Sequence, residues 1–227
     1  MPKTGERPKL GSQGGFIIYN KSMSERYSAE KSREGEKQAI WDRKIEEVKE
    51  YKDQAGNKMD EEIVETVVAL NVNDIPTIQS CAGHTETGAM PWVKIQQPGR
   101  PVGVHKPSDV TPEWKQWKEQ GDTLREKVQR LLDEFNVQRK SESGILLTLN
   151  ISNDIRAASK ELQGMFKDDP YGINPLPPTK SELSKLSRII PLTQEEMQAF
   201  TIFLKDKFFK KLIAFRAVFW YDLFTNS

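Results

Sequence analysis

Apolar positions along the chain change between helical and strand-like spacing, and each change marks an element. In residues 24–52 they recur every three to four positions among dense mixed charges, which predicts an exposed helix with one narrow apolar stripe. Residues 63–70 are apolar around most of a helical circumference, which predicts a buried helix with Asp60 as its N-terminal cap. A turn signal at 53–58 separates these two predicted helices.

Three short apolar runs predict strands. Residues 75–79 are rich in β-branched side chains, and Pro76 belongs near the start of such a strand or at a sheet edge. Residues 92–95 predict the neighbouring strand, which the loop 85–89 joins to the first. The nearly continuous apolar run 145–151 predicts a central strand that is buried on both faces.

Helix start signals divide the rest of the chain. Thr111 and Pro112 suit the cap and the first position of a helix with a broad apolar face. Residues 155–166 predict a short helix. A capping box from Thr193 to Glu196 predicts the start of a long C-terminal helix.

These elements predict an α/β (α+β) fold, in which helices pack on a small mixed sheet between a charged N-terminal helix and a long C-terminal helix. The expected organisation is a flexible tail at 1–22, an α/β domain with the N-terminal helix at 23–167, a proline-rich linker at 168–191 and a C-terminal helix at 192–227. Because the last helix is apolar on several sides, it packs on the domain or pairs with a second copy as a homodimer.

Composition narrows the function classes. The 227 residues include 34 basic and 33 acidic side chains, so no global field draws the chain to nucleic acid or anionic lipid. No stretch reaches the roughly 18 apolar residues of a membrane span, and the chain starts with no apolar signal region. The single cysteine excludes an internal disulfide and fits a reducing compartment, so we expect a cytoplasmic protein without membrane partners.

One loop has the features of a site. It follows a predicted strand end and brings together a hydroxyl, a thiol, a flexible glycine and an imidazole, in the order Ser80, Cys81, Ala82, Gly83 and His84. A positive φ at Gly83 would direct backbone N–H groups inward as a nest for phosphate or carboxylate. The leading hypothesis is therefore binding of a small molecule, a nucleotide or RNA through this loop, with Glu86 or Trp92 at the rim.

Three alternatives stay open for the same loop. Cys81 is a nucleophile in one of them, with His84 or His105 as its base. The second is a metal site of Cys81, His84 and His105, completed by Glu86 or Asp109. In the third the loop is structural, with His84 as a hydrogen-bonded anchor of the turn. The sequence identifies no cofactor and does not decide whether the protein is an enzyme or a non-catalytic interaction protein that dimerises through its C-terminal helix.

Residues 60–95 resemble a known group of proteins. A helix that ends in Leu70-Asn71, a strand with Thr77, the Ser-Cys-x-Gly-His motif at 80–84 and a following Pro91-Trp92-Val93 strand are similar to uncharacterised bacterial and phage proteins with that motif. More distantly, the same order resembles the wybutosine-tRNA methyltransferase family, which uses S-adenosylmethionine on a modified guanosine. That family typically has arginine where this chain has His84. The resemblance implies a substrate or cofactor loop at Ser80, Cys81 and Gly83.

Overall fold

The structure, a computed structural model, describes residues 14–52, 56–99, 101, 111–140, 144–165 and 179–210; for 14–30 and 163–165 it describes the backbone alone. The chain divides into two compact units, residues 1–40 and residues 41–227. The described part of the first unit is helical, and the second unit contains all the strands in the described ranges.

Helices and strands alternate along the described chain. The helices are α1 (Gly14–Lys49), α2 (Glu61–Val72), α3 (Pro112–Arg139), α4 (Lys160–Met165) and α5 (Lys180–Lys210). The strands are β1 (Thr77–Cys81), β2 (Trp92–Ile95), β3 (Leu146–Leu149) and β4 (Asp154–Ala158). Within these residues, no helix combines the length and the apolar character that crossing a bilayer requires.

The four strands form one sheet in the order β1-β2-β4-β3, and every neighbouring pair is antiparallel. The α+β class is therefore confirmed, although the sheet is wholly antiparallel where we expected a mixed one. Strand β2 has the predicted bounds, and β1 lies two residues later than predicted. Pro76 precedes β1, which is an edge strand, as its lack of a backbone N–H favours.

One buried cluster joins the sheet to helices α2, α3 and α5. The cluster includes Val93, Ile155 and Leu147, which lie on the same face of the sheet. That face therefore packs against the helices. On the helical side, Phe135 of α3 packs edge-on against Phe200 of α5 with ring centroids 5.2 Å apart. Because α2 is buried along most of its length, the loops at its two ends are held against this core.

The N-terminal prediction was wrong in its boundary. Helix α1 begins at Gly14, within the predicted tail 1–22, and runs without a break to Lys49. Residues 1–13 of that tail lie outside the described residues. Two glycines followed by aromatic and β-branched side chains at 16–19 conceal the helix there, because these residue types have low helix propensity.

The apolar run 145–151, predicted as a central strand, lies at the edge of the sheet. Strand β3 is an edge strand, with Leu146 46% exposed, and Ile151 beyond it is 71% exposed. The α3 residue Asn136 covers its outer side, because its amide donates to Leu147 O at 2.9 Å and accepts from Leu147 N at 3.1 Å. The inner position belongs to β4, which replaces the first residues of the helix predicted at 155–166.

The C-terminal helix starts earlier than predicted. Helix α5 begins at Lys180, so the predicted linker 168–191 is helical in its second half, and the helix continues through Pro191. Its capping box is formed by Thr179 and Glu182. The backbone N–H of Thr179 donates to the Glu182 carboxylate at 2.7 Å, and the backbone N–H of Glu182 donates to the Thr179 hydroxyl at 3.3 Å. The predicted box at Thr193 lies in mid-helix, where its hydroxyl donates to Ile190 O. The predicted helix beyond Lys210 lies outside the described residues.

Candidate functional site

The loop that follows β1 is built around a glycine in a left-handed conformation. Gly83 has φ +87°, and a Cβ at this position would lie 2.8 Å from Cδ and 2.9 Å from N of Pro91. Because Pro91 immediately precedes β2, the loop is pressed against the start of the neighbouring strand. Only glycine combines this φ with so close an approach.

A short hairpin fixes His84. Its backbone N–H donates to Ala89 O at 2.8 Å, and Ala89 N–H donates to His84 O at 3.1 Å. These two bonds close a turn over residues 85–88, in which Gly88 has φ +74°. Glu86 lies on this turn, and its side chain is 72% exposed. His84 is thus held at the base of the hairpin, next to the end of β1.

Asp60 lies beside Cys81 and His84. One ligand atom from each of these three side chains lies within 4.8 Å of those of the other two. The Nε2 atom of His84 is 3.4 Å from Oδ2 of Asp60, and their side chains are 39% and 33% exposed. We call these residues the Asp60–Cys81–His84 cluster; it joins a carboxylate, a thiol and an imidazole at an accessible position.

Asp60 has the predicted position at the start of α2, but it does not cap the helix with its side chain. The residue occupies the N-cap position of α2, but its side chain makes no capping hydrogen bond. Instead its Oδ2 accepts from Ala82 N–H at 3.1 Å. Chain lengths explain the contact: twelve helical residues rise about 18 Å and five strand residues about 17 Å, so β1 returns to the level at which α2 begins.

The backbone N–H groups of the loop already have acceptors. Ala82 donates to Asp60, Gly83 donates to Cys81 Sγ at 3.4 Å, and His84 donates to Ala89. An anion would have to displace these acceptors to use the predicted nest. The side chains therefore offer more for ligand binding than the backbone does.

A glutamine of α5 holds the loop from the other side. Gln194 Nε2 donates to Ala82 O at 3.0 Å and to Gly83 O at 3.1 Å. This contact spans more than a hundred residues of sequence, and nothing in the residue pattern around Gln194 predicts it. The loop is consequently held by Asp60, at the start of α2, through the Ala82 N–H group, and by α5 through two carbonyl groups.

Burial raises the pKa of the Cys81 thiol above its ordinary value. The Gly83 N–H that bonds its sulfur acts in the opposite direction, and the negative charge of Asp60 raises the pKa further. The thiol is therefore protonated at neutral pH in the ligand-free protein. A nucleophilic thiolate needs the reverse environment, with nearby positive charge and a lowered pKa.

The other predicted site residues do not lie together: Ser80 and Trp92 are on opposite faces of the sheet, and Glu86 is on the hairpin turn. Ser80 pairs with Val93 in the sheet register, and its Oγ is buried without a hydrogen-bond partner in the described structure. Trp92 is the register partner of Cys81 and, on its other side, of Arg156. His105 and Asp109 lie outside the described residues.

Comparison with protein-family models, with curated proteins and with solved structures gave no match. The geometry around Cys81 is therefore the basis for interpreting the function.

Proposed function

We propose that the protein binds a divalent transition-metal ion, of the Zn²⁺ type, through Asp60, Cys81 and His84. The observation that carries the proposal is the convergence of their ligand atoms to within 4.8 Å of one another. Tetrahedral zinc with ordinary bond lengths holds its ligand atoms about 3.3–3.6 Å apart. Side-chain rotations that move the ligand atoms by about 1 Å therefore suffice to close the site. A mixed set of oxygen, nitrogen and sulfur ligands suits zinc.

Neighbouring groups support two of the three ligands, His84 and Cys81. Glu86 Oε1 lies 3.7 Å from Nδ1 of His84, on the side of the ring away from the 3.4 Å contact between Nε2 and Asp60. A carboxylate on the second nitrogen orients a metal-binding imidazole and raises its basicity. The Gly83 N–H that points to Cys81 Sγ stabilises a thiolate once the metal has displaced its proton.

Three protein ligands leave one tetrahedral position for water or a substrate atom. The partial exposure of Asp60 and His84 keeps that position accessible. An open position is the arrangement of catalytic rather than structural zinc sites, and it admits the small molecule that the loop is expected to bind. We include a cytoplasmic location in the proposal, since a reducing compartment keeps Cys81 available as a thiolate ligand.

Cobalt titration tests the proposal directly. The metal-free protein should bind one equivalent of Co²⁺ and show both a thiolate-to-cobalt charge-transfer band and the visible bands of tetrahedral Co²⁺, which Zn²⁺ then removes. Cys81→Ser should abolish the charge-transfer band, and Asp60→Asn and His84→Gln should weaken binding. Because binding releases the thiol proton, affinity should rise about tenfold per pH unit below the pKa of Cys81.

Glu86→Gln is the matched control. It lies in the same loop but outside the ligand set, so it should keep the charge-transfer band, and loss of the carboxylate beside His84 should weaken binding by about 10- to 100-fold. An unchanged charge-transfer band in Cys81→Ser, or no stoichiometric binding by the unaltered protein, would refute the metal site.

A second candidate function, nucleotide binding, is favoured by the sheet register beside the cluster. Cys81, Trp92 and Arg156 are consecutive partners across three strands and therefore share one face. Trp92 is half-buried, and Arg156 is held by an ion pair of 2.7 Å with Asp154. An indole beside a guanidinium suits a flat ring with an attached phosphate, such as a nucleoside monophosphate.

Nucleotide binding has its own test. In calorimetry with metal-loaded protein, Trp92→Leu should lower the affinity for nucleoside monophosphates while the metal stoichiometry stays at one. Equal affinity of the variant and the unaltered protein would remove this candidate and leave the metal site untouched.

The Cys-His nucleophile has less support, because burial raises the pKa of Cys81 and keeps the thiol protonated.

A further inference from the structure

A groove of about 480 Å³ lies between α3 and α5, on a part of the protein separate from the Asp60–Cys81–His84 cluster. Its apolar lining comprises Phe135, Ala199, Ile202 and Phe203. Ile202 is 65% exposed, whereas Phe200 and Leu204 on the same helix are buried in the core. Exposed apolar surface in a concave position is typical of an interaction site.

Charged residues around the groove are paired. Lys207 bonds Glu134 across the two helices at 2.6 Å, and Lys210 bonds Asp206 at 2.5 Å. Arg139 bonds the buried Glu196 at 3.3 Å. With these charges neutralised locally, the groove favours an apolar occupant over a highly charged one.

The chain itself contains a segment of matching chemistry. Residues 211–227 follow Lys210, which lines the groove, and they include eleven apolar side chains: Leu212, Ile213, Ala214, Phe215, Ala217, Val218, Phe219, Trp220, Tyr221, Leu223 and Phe224. Residues 211–221 contain no Gly, Pro, Asn, Asp or Ser, so the sequence offers no turn that would reverse the chain into its own groove.

We propose that the α3–α5 groove of one protein molecule receives the apolar segment 212–224 of a second copy, and that the exchange is mutual. The groove-lining part of α5, from Ala199 to Lys210, is about 18 Å long, or about three helical turns. Mutual exchange around a two-fold axis places the same two surfaces in contact twice. In each docking, an apolar segment of one copy covers the apolar groove of the other.

Sedimentation of the full chain over a range of concentrations tests the exchange. The unaltered protein should dimerise, and Ile202→Glu in the groove and Phe219→Glu in the segment should each raise the dimer dissociation constant by about 30-fold or more. Val137→Glu is the matched control, because Val137 is 72% exposed on α3 but does not line the groove. Its dissociation constant should equal that of the unaltered protein.

Mixing the two variants distinguishes exchange between copies from docking within one chain. A mixture of Ile202→Glu and Phe219→Glu contains one intact groove and one intact segment on different chains, so association should return in the mixture alone. Two variants that stay monomeric when mixed would show that the segment docks within its own chain. A monomeric unaltered protein at every concentration, or equal loss in Val137→Glu, would also overturn the proposal. Circular dichroism of each variant checks that it is folded.

Discussion

Polar side chains of neighbouring helices contact both edge strands of the sheet, β1 and β3, but they have different roles at the two edges. At β3, the amide of Asn136 bonds both backbone groups of Leu147 and so takes the place of a missing strand. At β1, the side chain of Asp60 bonds the loop after the strand and at the same time approaches His84. The first contact completes the sheet, whereas the second assembles side chains of different chemistry.

This difference indicates where stability and ligand binding can be separated. A carboxylate, a thiol and an imidazole held close together gain little from one another without a metal, while an amide over a strand edge gains two hydrogen bonds. Substitutions at the β3 edge should therefore affect folding alone. Substitutions around the β1 loop should affect binding as well.

The largest expected effect comes from Gly83→Ala. The added Cβ would lie 2.8 Å from Pro91 Cδ at a φ of +87°, so unfolding free energy should fall by about 3 kcal/mol. Gly56→Ala is the control, since Gly56 has φ +85° with nothing within 4 Å; its cost should be about 1 kcal/mol. Urea unfolding measures both, and equal losses would show that the close approach to Pro91 contributes nothing.

Asn136→Leu should reduce the unfolding free energy by about 2 kcal/mol, because it leaves two backbone groups of the β3 edge without partners. Cobalt binding at the Asp60–Cys81–His84 cluster should not change. Gln129→Leu, an exposed change on the same helix, should stay within about 0.5 kcal/mol of the unaltered protein. A loss of cobalt affinity in Asn136→Leu would break the separation between the two edges.

Gln194→Ala removes two hydrogen bonds to loop carbonyls and should cost about 1 kcal/mol in unfolding free energy. Because the loop then loses its support from α5, cobalt affinity should fall about tenfold. Gln198→Ala, an exposed change one turn further along α5, serves as the control in both measurements. Unaltered cobalt affinity in Gln194→Ala would mean that α2 and the hairpin alone position the ligands.

The smallest effect concerns pH. Burial raises the pKa of Cys81, so the folded metal-free protein resists loss of the thiol proton more than the unfolded chain does. The associated stability is present below the unfolded thiol pKa of about 8.5 and is lost as pH rises through the folded value. Chemical unfolding from pH 7 to pH 10 should show this decline in the unaltered protein and a shallower one in Cys81→Ser. Parallel curves would contradict the raised pKa.

Much of the fold follows from local pattern, because periodicity and caps act within a few residues. Helix α3 begins as predicted, with Thr111 Oγ1 accepting from Trp114 N–H at 3.2 Å, and β2 has its predicted bounds. The order of the strands does not follow from local pattern, because it depends on how the strands pack against the helices. The run 145–151 is as apolar as a central strand, yet β3 is at the edge because Asn136 covers its outer side.

The candidate site was predictable in part for the same reason. A turn after this strand and a positive φ at Gly83 both follow from neighbouring residues, and the structure has both. The prediction was wrong for Ser80 and Cys81, which belong to β1 and not to the turn. Asp60 was identified only as a helix cap, because its approach to Cys81 depends on matched helix and strand lengths. Gln194 carries no local signal, since its role depends on how α5 crosses the loop.

The hydrogen bonds from Gln194 also bear on the order in which the molecule is assembled during synthesis. Asp60, Cys81 and His84 lie within 25 residues of one another, so the ribosome releases all three ligands long before α5 emerges. The residue that braces their loop follows 112 positions after Ala82. A nascent chain that has completed β4 therefore lacks this support. At the proposed metal site, an ion bound at this stage should exchange more readily than one bound after α5 has docked.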